Sequence, residues 1–474
     1  MRRWYLVLLI LWVHFGDLFT AWLFDAGAFP LASLLRPTRD ATVILIAAIC
    51  LVTVSIPASL LIPILGYTLL AAIYMPVGWL YGLPPGILIG SFGTLMIPML
   101  FFLVGYYCVR EPQELRRMAT LIVLIGVATA LFGLWDIRHT EFWTQIIRFP
   151  EYMAKIKGVL PADTHPETRL PWNFYGGQPL ARRSAGLLAA PLAQGTFLAV
   201  TALIAMALLQ RRSLAYAGAV CTLLFIGLWM SGTRGAMLVG SVALLGYVAS
   251  SRDLLRAPAI RLISTVAVLG IFAVISRRVV DMTLNFRDGS TIGHWTSLLR
   301  NLDQIHQVLL FGGGLGRQGA MAARAGLATL GGGEGAIFSM AFQMGIPAAL
   351  LFLWFYGQCM RQLLHVHRRH NEALGLAMFW LACGMGITLV LSDNLLSVSA
   401  CAAFWLVIGG VIRLGNVQRF NNETAGAVPA LLPTIAHSAP LADAIICAKG
   451  KSSDNVNSTR QTQVPSDAAS ASYL

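Results

Sequence analysis

Long apolar stretches, separated by short polar turns, dominate the chain as far as residue 413. A helix needs about 20 mostly apolar residues to cross the hydrocarbon core of a bilayer. The pattern therefore predicts an all-α polytopic membrane protein with about twelve transmembrane helices. The predicted spans are 4–24, 41–57, 58–76, 86–109, 118–136, 186–209, 213–231, 234–250, 261–276, 336–358, 374–392 and 395–413.

Two long polar loops divide these spans into three groups. We expect helices 1–5 in 1–136, helices 6–9 in 186–276 and helices 10–12 in 336–414, with the loops at 137–185 and 277–335. The remaining residues, 415–474, are rich in Ala, Ser, Asn and Thr. We therefore expect a disordered cytoplasmic tail without catalytic content.

The second polar loop contains a segment with helical periodicity. Its apolar residues are Trp295, Leu298, Leu299, Leu302, Ile305 and Leu309. Such a pattern is typical of a helix that lies flat at the membrane interface. Alternatively, the same apolar face packs against the helix bundle, and the sequence does not decide between the two.

The composition supports a membrane protein and excludes other classes. Apolar residues make up 57% of the chain and charged residues 12%, whereas soluble domains carry about 25% charged residues. The mean hydropathy is +0.70. These values exclude an ordinary cytosolic enzyme and a disordered protein. The seven cysteines show neither zinc-ligand spacing nor a disulfide framework.

The charge pattern predicts the orientation. The net charge is +13, and 30 of the 34 basic residues are Arg. Because cytoplasmic loops collect Arg and Lys, both termini are expected in the cytoplasm and both long loops on the outer side. The membrane accounts for the charge, so we expect no nucleic-acid partner. Arg36 and Arg39, in the first outer loop, are the exception to this rule.

Two outer clusters carry arginine next to the membrane, where charged groups are costly and often functional. Arg182 and Arg183 precede a predicted helix, and Arg234 lies in the turn 231–235, Ser-Gly-Thr-Arg-Gly. Arginine at such positions favours an anionic ligand, for example a phosphate. Alternatively, these side chains extend to lipid headgroups.

Two further clusters add groups for proton transfer. Segment 287–295 begins with Arg287, another candidate ligand for a diphosphate, and contains His294. Segment 331–335 contains Glu334 within a run of glycines. A loop histidine is commonly only solvated, and Glu334 stands at a predicted helix start, where it can act as a cap. As functional groups, either side chain can take a proton from a hydroxyl.

Together these clusters predict a group transfer that needs no nucleotide. The sequence contains no Walker motif, nucleotide fingerprint or metal-ligand cluster, so we expect neither a cofactor nor a metal. The donor must then arrive already activated, as a lipid diphosphate sugar does. Arginine stabilises the departing diphosphate, and a carboxylate or an imidazole accepts the proton of the attacking hydroxyl.

The clusters resemble those of the O-antigen ligase and polymerase superfamily, a group of bacterial membrane glycosyltransferases. The resemblance covers roughly residues 180–350, and the order of the motifs is preserved. Arg183-Ser184-Ala185-Gly186, with Pro191 five residues after the glycine, matches an Arg-x-x-Gly step. The turn 231–235 matches a short Ser-Arg-Gly-like turn.

The second half of the resemblance is in the large outer loop. Trp295 and the glycine run 312–316 match a Trp-containing helix that ends in a Gly-x-Gly-x-Gly-like turn. Glu334-Gly335 stands where the ligases carry a His-Asn pair, and nine residues then separate Gly335 from Gly345, the next glycine of the motif. The ligases usually carry His where this chain has Glu334, and in this respect the sequence looks more like the exopolysaccharide polymerases.

The resemblance implies a GT-C-like fold in a bacterial inner membrane, with an active site on the periplasmic side. It implies a polymerase that moves a glycan from undecaprenyl diphosphate to the next lipid-linked repeat unit. The partners that it implies are membrane lipids, a chain-length regulator and export proteins. By the same resemblance, Glu334 and His294 are the catalytic candidates, and the arginines bind the diphosphate. An O-antigen ligase that uses lipid A-core or protein is the alternative. A transporter of the same anionic lipids is a further alternative.

Overall fold

The computed structural model describes residues 2–176, 180–251, 266, 270, 289–318, 322 and 329–426, and these are mostly helical. The helices are α1 (Arg2–Asp25), α2 (Phe29–Thr53), α3 (Ala58–Leu80), α4 (Pro85–Cys108), α5 (Pro112–Asp136), α6 (Phe149–Lys155), α7 (Pro191–Leu209), α8 (Leu214–Met230), α9 (Arg234–Ser250), α10 (Gly289–Gln304), α11 (Ala336–Met344), α12 (Ile346–His370), α13 (Ala373–Thr388) and α14 (Val398–Gly426).

Short elements connect these helices. Single turns of π or 3₁₀ helix lie at Phe142–Ile146, Pro161–Asp163, Trp172–Phe174, Gly186–Leu188, Ile305–Val308 and Asn394–Leu396. Two short strands, β1 (Tyr175–Gly176) and β2 (Ala181–Arg182), pair antiparallel, with Tyr175 opposite Arg182.

The apolar helices have the dimensions of membrane spans. Within the described ranges, α1, α3, α4, α5, α7 and α14 are long and apolar enough, by length and composition, to cross a membrane. Helices α8, α9 and α13 are apolar but shorter. The prediction of an all-α membrane protein is confirmed, whereas the number of twelve spans stays a prediction.

Helices α7 and α14 contain the most deeply buried part of the fold. Helix α7 packs against α5, α8, α9 and α13, and all its side chains from Phe197 to Ala205 are fully buried. The side chains of α14 from Cys401 to Ile408 are buried to the same extent. The outer helices therefore surround these two segments.

Glycine brings the backbones of α4 and α14 into contact. A Cβ atom at Gly105 would collide with the carbonyl group of Leu406, and one at Gly409 would collide with that of Phe102. Small residues at crossings of this kind allow membrane helices to approach closely. The position of α14 in the bundle therefore depends on these two glycines.

The predicted tenth span, 336–358, is wrong as a single helix. The chain breaks at Gly345, which separates α11 from α12 and has a φ of +86°. Pro347 follows in the first turn of α12, and a Cβ atom at Gly345 would lie 2.6 Å from the carbonyl oxygen of Leu310. The apolar pattern missed the break because apolar residues continue on both sides of it.

Other helix boundaries also differ from the predicted ones. Helix α2 begins at Phe29, before the predicted span 41–57, and α7 begins at Pro191 because a 3₁₀ turn and the left-handed Ala189 precede it. Helix α14 continues to Gly426, so the segment predicted as a disordered tail starts with helix. Apart from 266 and 270, the predicted span 261–276 lies outside the described residues.

The first long loop has a small hydrophobic core of its own. Four aromatic side chains are buried there: Trp143, Phe149, Tyr152 and Phe174. They pack with Ala21, near the end of α1. The loop is therefore a folded cap on this end of the bundle, and it positions the strand that contains Arg182.

The amphipathic segment of the second loop is helix α10, and its buried side is polar. Ser297 and Asn301 are buried, and Leu298 is only partly covered. The exposed side chains are apolar, namely Trp295, Leu299 and Leu302, followed by Leu309, Leu310 and Phe311. Since an exposed apolar face is stable against lipid and not in water, the structure favours the interfacial interpretation.

The α4–α14 contact predicts the effect of adding one methyl group. Gly105→Ala forces the two backbones apart, and overpacking of this kind costs about 1–3 kcal/mol. We expect a lower Tm in thermal unfolding of the detergent-purified protein. Gly93→Ala in the same helix is the control, because a Cβ atom at Gly93 meets nothing within 4 Å. Equal Tm values for the two variants would contradict the contact.

Candidate functional site

The Arg182–Gly186 segment is fixed by a buried carboxylate at the end of α5. Asp136 Oδ2 accepts hydrogen bonds from the backbone N–H groups of Ala185 at 3.0 Å and Gly186 at 2.7 Å. Asp136 is fully buried. Its Oδ1 atom lies 3.9 Å from Arg182 Nη2. The two amide hydrogen bonds and the nearby guanidinium stabilise a charge that burial would otherwise disfavour.

Arg182 points into the protein. Its side chain is 10% exposed, its Nη1 atom donates to the Arg183 carbonyl oxygen, and its guanidinium lies over the Phe174 ring at 4.8 Å. Burial lowers the pKa of Arg182 below its ordinary value, and Asp136 opposes that shift. The structure therefore gives Arg182 internal partners, and its predicted contact with diphosphate stays a prediction.

Arg183 lies across the turn that carries the next arginine. Its guanidinium occupies the space where a Cβ atom of Gly176 would lie. A Cβ atom at Gly232, whose φ is +62°, would be 3.1 Å from Arg183 Nε. Glycine at both positions therefore makes room for this side chain. The close approach brings Arg183 to the turn 231–235.

Arg234 is the first residue of α9, and its side chain reaches α10. Its Nη1 atom donates to Thr291 Oγ1 at 3.1 Å. Thr291 and His294 are three residues apart on one helix, so they share a face. The structure thus connects the second arginine with the histidine of the second long loop.

His294 contacts Glu334 directly. Its Nδ1 atom donates to Glu334 Oε2, although 40 residues separate the two in sequence. The side chains are 45% and 43% exposed, so a substrate can reach both. His294 is therefore not an isolated solvated side chain, and Glu334 is not a simple helix cap.

The buried polar side of α10 holds the glycine segment before Glu334. Asn301 Nδ2 donates to the Glu334 carbonyl oxygen at 2.8 Å, and Asn301 Oδ1 accepts from Gly332 N at 2.7 Å. Gln304 Oε1 accepts from Gly331 N at 2.8 Å. A Cβ atom at Gly332 would collide with the backbone of α10. These contacts fix the position of Glu334 relative to His294.

The second glycine run, 312–316, lies along α11. Gly313 N donates to the Phe342 carbonyl oxygen at 2.8 Å, and Gly316 N donates to Gln343 Oε1, also at 2.8 Å. Leu315 N donates to the Tyr74 carbonyl oxygen of α3 at 3.1 Å. The run therefore attaches the large loop to the bundle beside the helix that Glu334 precedes.

Two acidic residues that sequence reasoning did not select belong to this region. Asp136 is one of them. The other, Asp393, precedes α14 and accepts a hydrogen bond from Ser339 Oγ at 3.1 Å. Burial, followed by the charge of Glu334, raises the pKa of Asp393 to about 6. Both carboxylates stand at the ends of apolar stretches, and that position is the only signal the sequence offered.

The site therefore combines four of the six predicted residues, namely Arg183, Arg234, His294 and Glu334. Arg182 supports this group from inside, and Arg287 lies outside the described residues. Within the described ranges, no group of three or more His, Cys, Asp or Glu side chains is arranged to hold a metal ion. The arrangement can bind an anion beside a proton acceptor.

Comparisons with known proteins assign no family. No family model and no curated protein sequence matches this chain. A functional assignment therefore rests on the geometry of the site and on the resemblance of its motifs.

The Asp136 contacts predict a large loss of stability on removal of the charge. Asp136→Asn leaves Arg182 buried without a counter-charge, which costs about 3–5 kcal/mol. We expect little folded protein in size-exclusion chromatography of detergent extracts. Asp25→Asn is the matched control, since Asp25 also ends a helix and pairs at 3.4 Å with Arg148, which is 59% exposed. Such a surface pair contributes about 1 kcal/mol at most.

The raised pKa of Asp393 predicts a pH-dependent contribution to stability. The folded protein binds the proton of the Asp393 carboxyl group more tightly than the unfolded chain does, because the pKa of this group in the unfolded chain is near 3.8. Stability from this group is therefore present below pH 3.8 and is lost as the pH rises through about 6. Asp393→Asn cannot ionise, so its Tm should rise relative to wild type across this range. A constant Tm difference, as we expect for Asp163→Asn on the exposed loop, would contradict the assignment.

Proposed function

We propose that the protein is a polymerase of exopolysaccharide or O-antigen repeat units. It transfers a glycan from undecaprenyl diphosphate to the next lipid-linked unit, at the periplasmic face of a bacterial inner membrane. The contact between His294 and Glu334 is the observation that carries the proposal. It puts a proton acceptor next to Arg234, through Thr291, in a protein made largely of apolar helices.

The two arginines supply the anion site. Arg183 lies against the turn 231–235, which contains Arg234, so the diphosphate of the donor binds where the first long loop meets α9. Guanidinium groups suit phosphate oxygens because they donate in pairs. Arg182 and Arg287 remain secondary candidates for the same role.

The transfer is a single displacement. The acceptor hydroxyl oxygen attacks the anomeric carbon and forms the new glycosidic bond, while the bond from that carbon to the diphosphate oxygen breaks. The diphosphate leaves with the bonding electron pair, and Arg183 and Arg234 stabilise its charge. The hydroxyl proton moves to the His294–Glu334 pair. Attack from the opposite side inverts the configuration of the sugar.

The pair works as one proton acceptor. The neutral tautomer that donates from His294 Nδ1 has its accepting lone pair on Nε2. The Glu334 carboxylate holds the ring in that tautomer and stabilises the imidazolium that forms, as the acidic member of a catalytic triad does. Glu334 Oε1 has no hydrogen-bond partner among the described residues, so the carboxylate itself is the alternative acceptor.

Elongation by the purified protein tests the proposal. The full-length chain in lipid vesicles receives undecaprenyl-diphosphate-linked repeat units without metal or nucleotide, and a gel resolves the products. We expect a ladder of longer glycans from wild type.

Loss of general-base catalysis costs about 10²–10⁴-fold in rate, so Glu334→Gln and His294→Gln should each remove the ladder. Because groups that act as a unit are not additive, the double variant should lose no more. Arg183→Gln and Arg234→Gln should also produce no ladder, because each removes a cation that binds the diphosphate.

Two exposed residues of the same loops provide controls. Arg148→Gln and His306→Gln remove one cation and one imidazole, and both should elongate like wild type. Wild-type activity in both Arg183→Gln and Arg234→Gln would reject the proposal. Transfer only after addition of lipid A-core would identify the ligase instead. Movement of a labelled lipid across the bilayer without transfer would identify the transporter.

A further inference from the structure

A polar cavity of about 400 Å³ lies where α1, α2, α4, α11 and the start of α14 meet. Its volume is in the range of small-molecule sites, about 300–1,000 Å³. Seven of its lining side chains carry hydroxyl or amide groups, namely Ser91, Thr94, Gln318, Ser339, Gln343, Ser397 and Ser399. Hydroxyl and amide groups in this number are suited to the hydroxyls of a sugar.

Three cationic side chains also line this cavity. Arg36 and Arg39 come from α2, and Lys157 comes from the loop after α6. The side chains of Arg39 and Lys157 are only 12% and 19% exposed, whereas Arg36 lies at the exposed rim. The two arginines are the pair that violated the charge rule for outer loops. The cavity gives a physical reason for that exception.

The internal acids do not account for all three cations. Lys157 Nζ pairs with Asp17 at 2.7 Å, and Arg39 pairs at 2.7 Å with Asp40, which does not line the cavity. Arg36 has no side-chain hydrogen bond or ion pair within the described ranges, although Asp17 lies within electrostatic reach. The other lining acid, Asp393, interacts instead with Ser339 and Glu334. This end of the cavity therefore attracts an anion.

An unsatisfied amide provides an independent sign of a ligand. Gln318 lines the cavity and is 4% exposed. Neither its Oε1 nor its Nε2 atom has a hydrogen-bond partner in the described part of the chain. Leaving a buried polar atom unpaired costs about 1–3 kcal/mol, so a side chain of this kind marks a position where a polar ligand donates and accepts.

We infer that this cavity binds an acidic sugar, one that carries a carboxylate, of the acceptor glycan. The inference rests on the proposed function and names its substrate class. Arg36, Arg39 and Lys157 bind the carboxylate, while the hydroxyl and amide groups bind the ring. Asp393, which shares the cavity with Ser339 and acts electrostatically on Glu334, connects this sugar to the proton acceptor.

Equilibrium binding tests the inference without any transfer step. The probes are methyl β-D-glucuronide and methyl β-D-glucoside, which differ in one carboxylate, titrated against full-length protein in phosphatidylcholine nanodiscs and followed by ligand-observed NMR. One charge-assisted hydrogen bond corresponds to about a tenfold preference, so we expect the glucuronide to bind about tenfold more tightly.

Charge-neutral variants locate the binding. Arg36→Gln should abolish the preference for the glucuronide and leave glucoside binding unchanged, and its fold should be intact because Arg36 has no internal hydrogen bond to lose among the described residues. Lys157→Gln should act in the same direction. Lys155→Gln is the matched control, because Lys155 lies two residues away, is exposed and does not line the cavity. It should retain the preference.

Three results would overturn the inference. The first is equal binding of the two glycosides by wild type. The second is a preference that survives both Arg36→Gln and Lys157→Gln. The third is tighter binding of farnesyl diphosphate than of the glucuronide, weakened by Arg36→Gln, which would make the cavity a site for the carrier diphosphate. Glucuronide binding with no elongation would reject only the proposed function, and elongation with no preference would reject only this inference.

Discussion

The buried carboxylate of Asp136 joins three parts of the molecule, and the arrangement of the arginines depends on it. It stands at the carboxyl end of α5, where the helix dipole disfavours a negative charge. Hydrogen bonds from the amides of Ala185 and Gly186, together with the nearby guanidinium of Arg182, stabilise that charge. Because the cost of burying an unpaired charge is large, these contacts fix the chain on both sides of Arg183 and direct its side chain toward the turn 231–235.

Helix α10 fixes the site residues of the second long loop, as Asp136 fixes those of the first. Its polar face, with Asn301 and Gln304, binds the backbone of 331–335 and fixes Glu334 beside His294. Its apolar face remains exposed. In water this arrangement would be inverted, since apolar groups would be buried first. At a membrane interface the same helix can bury polar groups against the protein while its apolar side contacts lipid.

Under the proposed function, two separate clusters of cationic side chains bind the two substrates, namely the donor and the acceptor. Arg183 and Arg234 lie at the junction of the first loop and α9, whereas Arg36, Arg39 and Lys157 line the cavity where α1, α2, α4, α11 and the start of α14 meet. Ser339 and Asp393 connect that cavity to Glu334. A polymerase needs a donor and an acceptor that meet at one proton acceptor, and this division provides a separate anion site for each.

The pattern of apolar residues was enough to predict the apolar helices and most of the residue types of the candidate site. A bilayer requires long apolar segments, so the apolar pattern predicted nearly every described helix. Charged residues are rare in such a chain, and their rarity marked Arg183, Arg234, His294 and Glu334 as candidates. The apolar pattern missed the break at Gly345, because a positive φ leaves no trace in an apolar run.

The pairing of the polar groups, in contrast, follows from the packing of helices and loops and could not be predicted from the amino-acid pattern. His294 meets Glu334, Arg182 turns inward to Asp136, and Arg36 and Arg39 line a cavity with Lys157. Hydropathy reports the environment of each segment, whereas the partner of a charge depends on packing between segments far apart in the chain. In a low dielectric those pairings are decisive, because an unpaired buried charge costs several kcal/mol, on the order of the stability of a whole domain.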